Sequence, residues 1–112
     1  IGDAKKKVLA LAVNYRPKRR AENIPAPGRG IAAAIKSQLW NMQMGGFATP
    51  YEAEMGGVIA SVICGGDVPA GTPISEDYLL QLEREGFLKL CGNKKTAERI
   101  QHMLKTGKPL RN

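Results

Sequence analysis

The sequence predicts an all-α domain of about five helices, and three observations carry that prediction. Apolar residues recur every three or four positions in five separate stretches, the spacing that lines up one helix face. Glycine pairs and prolines punctuate the chain between those stretches. No alternating apolar–polar run of strand length stands out anywhere.

The first helix is expected from Asp3 to Asn14, with Asp3 as its N-cap and Val8, Leu11, Ala12 and Tyr15 along one face. Pro17 stops it, because the residue before a proline avoids the helical region. Residues 16–30 hold three prolines, two glycines and five Lys or Arg, so they read as an extended basic connector. A second helix, Ile31 to Met44, carries Ile31, Ile35, Leu39 and Met42 on one face, and Gly45 with Gly46 closes it. The third helix has the strongest start. Thr49, Pro50, Tyr51 and Glu52 form a T-x-x-E capping box with proline at the first helical position. Its broad apolar face (Met55, Val58, Ile59, Val62 and Ile63) is expected at the centre of the core, before Gly65 and Gly66 end it. Ser75 caps the fourth helix, where Glu76 and Asp77 suit the positive end. Leu79, Leu82, Gly86 and Leu90 share one side of it, and the glycine marks a close neighbour. Asn93 caps the fifth helix, with Ala97, Ile100, Met103 and Leu104 expected to face inward until Gly107 and Pro109 stop it.

The length suits one domain, 1–112, and a 43% hydrophobic content excludes disorder throughout. The chain opens on Ile1 rather than Met, which is read here as a piece of a larger polypeptide. No apolar run approaches the roughly 20 residues of a membrane span, so no membrane partner is expected. Cys64 and Cys91 stand 27 positions apart with a single histidine, which builds neither a zinc site nor a disulfide framework. Both are read as buried reduced thiols, and the location as cytoplasmic. The net charge of +7 is uneven: residues 1–49 carry +7, residues 50–90 carry −5 and residues 91–112 carry +5. Basic ends attract nucleic acid, acidic membranes or phosphorylated small molecules, and charge alone does not choose among them.

No motif assembles an active site. Gly28, Arg29 and Gly30 lack the further glycine, the lysine and the preceding strand of a nucleotide loop, and read as a connector turn. His102 has no nearby Ser, Cys or paired carboxylate and reads as a surface residue. Glu83 and Glu85, two apart, cannot share a helix face, while Glu52 is committed to its cap. The cations Arg16, Lys18, Arg19 and Arg20 read as a solvated stretch or as a segment lying on an acidic neighbour. Lys105 suits the negative end of the fifth helix, and Lys105, Lys108 and Arg111, three cations within seven residues, are also dense enough to hold a phosphate group.

Residues 78–112 resemble the C-terminal end of enoyl-CoA hydratases of the crotonase family, through Glu83, Phe87, Asn93, Glu98, Ile100, Lys105 and Lys108. The phrase GGDVPAGT (65–72) and the ending MLKTGKPLRN (103–112) are more similar still to bacterial β-oxidation proteins. These join a 3-hydroxyacyl-CoA dehydrogenase to a hydratase-like module. The resemblance implies that the chemistry lies outside this chain: paired glutamates and an oxyanion hole in the hydratase, a glycine-rich NAD loop in the dehydrogenase. It leaves this chain the C-terminal helical domain of a crotonase-like module, with no catalytic or metal-binding residue and no cofactor of its own. Its expected contributions are packing, subunit contact in a homo-oligomer and an edge of the CoA pocket. The family's adenine-touching aromatic falls on Phe87, whose helical spacing by itself reads as core packing. Its phosphate-pairing lysine falls on Thr106, so Lys105 and Lys108, on either side, are the CoA-binding candidates. The expected partners are upstream domains and acyl-CoA; the rival reading is a small basic helical module that binds nucleic acid.

Overall fold

A computed structural model describes all residues from Ile1 to Asn112. Five helices and one two-residue strand pair make up the architecture, which is all-α as the periodicity predicts. In chain order these are α1 (Gly2–Ala12), β1 (Ile24–Pro25), α2 (Arg29–Met44), α3 (Pro50–Ile63), β2 (Pro73–Ile74), α4 (Glu76–Cys91) and α5 (Lys94–Thr106). No helix is long and apolar enough to cross a membrane.

Local signals place most of the boundaries. The α3 capping box forms in full: the Thr49 hydroxyl accepts the Glu52 amide at 3.1 Å, and the Glu52 carboxylate accepts the Thr49 amide at 2.9 Å. Ser75 and Asn93 cap α4 and α5 by accepting the Tyr78 and Lys95 amides. At the start of α1 the expectation needs correcting. The helix begins at Gly2, so Asp3 lies inside its first turn, where its charge faces the helix dipole, and Ile1 caps without a side-chain bond. Likewise α2 starts at Arg29, earlier than Ile31, because Gly28 takes up a left-handed φ of 88° and turns the chain into the helix.

The connector is extended but not free. Ile24 pairs with Ile74, and Pro25 with Pro73, in an antiparallel bridge that two-residue runs holding prolines could not announce. Around it, the Ala26 amide donates to Thr72, Gly28 to Cys64 and Arg29 to Val68. The backbone at 64–72 therefore wraps the entrance to α2. Gly65 is needed there. Its φ is 83°, and a Cβ would stand 2.9 Å from both the Ala26 Cβ and the Ile74 Cδ1.

α3 lies between α2 and α4, but the apolar face expected at the core centre is not buried: Ile59 and Ile63 are exposed, and the helix buries only Tyr51 and Ala60. The close neighbour expected at Gly86 is present, since a Cβ there would meet Val58 and Val62 at 3.0 and 3.2 Å. The packing stops short of a closed core, however. Only Ala26, Ala32, Tyr51, Ala60, Cys64 and Ile74 form the buried apolar set. The radius of gyration is 19.7 Å, against about 13 Å for a compact chain of this length. Every residue of α1 is exposed. On α5, Ala97, Ile100, Met103 and Leu104 are exposed rather than inward, Leu104 to 81%, because no other element covers that face. Cys91 is exposed too, and only Cys64 is the buried thiol expected of both.

Candidate functional site

Two features stand out on the surface, an apolar groove and a polar hub. The groove, about 660 Å³, runs between α3 and α4. Val58, Val62, Leu79 and Leu90 line its walls, and Glu76 and Glu83 bring acid to its lining. It follows from glycine at 86: with no side chain there, α4 approaches Val58 and Val62 closely, and the longer residues on either side stand apart. Phe87 lines this groove and is 60% exposed, so its ring has a free face.

The hub joins α5 to the start of α3. Arg111 forks onto Glu52, with Nε to Oε1 at 2.8 Å and Nη2 to Oε2 at 2.7 Å, and its Nη2 also donates to the Phe47 carbonyl. Arg99 donates Nε to the Asn112 Oδ1 at 2.6 Å and Nη2 to the Asn112 main-chain oxygen at 3.1 Å. That same oxygen accepts the Thr49 hydroxyl at 3.0 Å. The Asn112 amide group donates to the Lys95 carbonyl and the Glu98 carboxylate. Beneath them Tyr51 is buried, hydrogen-bonded to Thr96, with the Arg99 guanidinium 5.4 Å and the Lys95 ammonium 5.9 Å from its ring centre. The paired guanidinium of Arg111 and the Thr49 amide hold the Glu52 carboxyl down at about 2.

Phe87 sits on α4 at the groove, whereas Lys105 lies in the last turn of α5 and Lys108 follows its αL cap, Gly107. Both lysines are exposed and form no ion pair, unlike Arg111 beside them. The Thr106 hydroxyl donates to the His102 carbonyl at 2.8 Å and accepts the Lys108 amide at 3.2 Å, which fastens the chain between the two lysines. His102 is half-buried. No three metal-ligating side chains come together. The stretch of basic residues at 16–20 does lie against acid at its end: Arg20 pairs with Asp77, and the Ala21 amide donates to Glu76.

The sequence marks Glu52 for its cap, Arg111 for its charge and Tyr51 only as a member of the capping box; the Glu52–Arg111 pairing and the hub contacts of Tyr51, Arg99 and Asn112 carry no such mark. Their contacts cross 13 to 64 positions and leave no local period to read.

No protein-family profile matches the chain, and no solved structure does. Over 111 residues, 98% of its length, the chain is 40% identical to a protein of Bacillus subtilis (strain 168) named probable 3-hydroxyacyl-CoA dehydrogenase. It spans 14% of that protein's length. The chain is therefore similar, nearly end to end, to one segment of a probable 3-hydroxyacyl-CoA dehydrogenase.

Proposed function

We propose that this chain is a helical segment of a 3-hydroxyacyl-CoA dehydrogenase acting in fatty-acid β-oxidation. In this reading it packs against the parent's other domains, contributes subunit contact in a homo-oligomer and lends an edge to the CoA pocket. One observation carries the proposal: 40% identity running over 98% of the chain to part of a protein of that name. NAD, in this reading, binds elsewhere in the parent.

The exposed apolar faces of α1, the α3–α4 groove and α5 support a segment that packs against more protein, since monomeric domains seldom leave so much apolar surface open. Phe87, Lys105 and Lys108 are the pocket candidates. An exposed ring has the flat apolar face that stacks on an adenine. Two unpaired lysines offer point charges for CoA phosphates. The hydratase-like module rests on the similarity of residues 65–112 alone, for the relative's name covers only the dehydrogenase. The test is an NADH assay with a 3-hydroxyacyl-CoA. The intact enzyme turns over and the 112-residue chain alone does not; turnover by the chain alone ends the proposal.

A further inference from the structure

We infer that the strap Lys108–Asn112 is a brace, and that Arg111, Asn112 and Thr106 are positioning residues that hold Lys105 and Lys108 in place. The inference rests on the proposed function only for what the two lysines bind. The brace itself stands on geometry.

α5 needs such a device, because it buries no residue of its own. Its apolar side chains are open to solvent, so the hydrophobic term that fastens most helices is weak here. Polar contacts at its first turns replace that term. Gly107, with a φ of 68°, reverses the chain at the end of the helix. The strap then returns along α5 until Asn112 meets the Lys95 carbonyl, Glu98 and Arg99. From Gly107 back to Lys95 a helix measures about 18 Å at its standard rise. Five extended residues reach about 17 Å, enough for the Asn112 side chain to meet the Lys95 carbonyl.

Helix and strap thus close a hairpin. Its base is riveted to α3 by Arg111 on Glu52 and by the Thr49 hydroxyl on the Asn112 oxygen. Its tip is Gly107, flanked by Lys105 and Lys108. Thr106 ties the tip crosswise, between the His102 carbonyl and the Lys108 amide. Two cations on a tip closed at its base lose less freedom on meeting a phosphate than two on a loose tail.

The experiment follows amide hydrogen exchange in the intact protein, together with steady-state kinetics on acyl-CoA. Arg111→Ala and Asn112→Ala should each speed exchange over residues 103–110 by about tenfold while the middle of α3 is unchanged. Each should raise KM for acyl-CoA about threefold at constant kcat, and Arg111→Lys should recover part of both effects. Unchanged exchange at the tip overturns the brace. Faster exchange with an unmoved KM, where Lys105→Ala with Lys108→Ala does raise it, overturns the positioning role. If the double lysine variant leaves KM alone, the CoA reading fails instead, and the exchange result by itself decides the brace.

Discussion

Glu52 serves Thr49 and Arg111 with one carboxylate: Oε2 accepts the Thr49 amide at 2.9 Å while both oxygens receive the Arg111 fork at 2.7 and 2.8 Å. A helix cap and a contact 59 positions away therefore share a single charge. That charge makes the fold sensitive to acid in a defined window. Glu52 titrates at about 2 in the folded chain, against an ordinary value of 4.5. As pH falls below the ordinary value, the unfolded chain binds a proton that the folded chain still refuses. The stabilisation is thus whole above about 4.5 and is lost as pH falls toward about 2. Urea midpoints measured from pH 6 to 2 should fall in this window, and should fall less steeply for Glu52→Gln.

Thr49→Ala should cost about 1 kcal/mol, the usual effect of losing an N-cap side chain. Its hydroxyl also donates to the Asn112 oxygen, so α5 should loosen as well as α3. Thr49→Ser should keep both bonds. Denaturant unfolding of the two variants separates loss of the hydroxyl from loss of the methyl.

Two glycines should respond oppositely to alanine. Gly65→Ala forces a side chain into a left-handed backbone and against Ala26 and Ile74, so a loss of about 2 kcal/mol or more is expected. Gly30 lies in the first turn of α2 with nothing within 4 Å of its missing Cβ. Gly30→Ala should gain up to about 1 kcal/mol by limiting the unfolded chain. Thermal melts decide both signs.

The thiols should react with a labelling reagent in two steps. Cys91 is exposed and Cys64 is only 1% exposed, so a thiol reagent should label one cysteine in the native protein and the second only on unfolding. Mass spectrometry after brief labelling should find the adduct on Cys91.

Lys105→Ala together with Lys108→Ala should raise KM for acyl-CoA in the intact enzyme about tenfold and leave kcat nearly unchanged, the pattern of lost uniform binding. Phe87→Leu should do the same more weakly, since it removes a stacking face but keeps apolar bulk.

Local chemistry was legible in the sequence, and distant chemistry was not. The T-x-x-E box, Ser75, Asn93 and the close approach at Gly86 all act within a few residues or on one helix face, and the structure contains each. The α5 stripe misled because periodicity shows that a face is apolar, not that something covers it. Asp3 misled as an N-cap because an acid favours the first turn as well as the cap. The strand pair and the hub escaped notice because Ile24 meets Ile74, and Thr49 meets Asn112, across stretches with no period. Of the candidate site, Phe87 and the two lysines came from resemblance. Their bracing by Thr106, Arg111 and Asn112 rests on contacts that no local sequence pattern marks.

On the proposed function, these helices complete a larger enzyme and perform no reaction alone. Hydride transfer followed as NADH absorbance, with 3-hydroxyacyl-CoA and NAD supplied to the intact enzyme, to the enzyme lacking this segment, and to the 112-residue chain, tests it most directly. Turnover is predicted for the intact enzyme, with sharply reduced turnover once the segment is removed and none from the chain by itself. NADH formed by the isolated chain, or an enzyme indifferent to the loss of these residues, would contradict it.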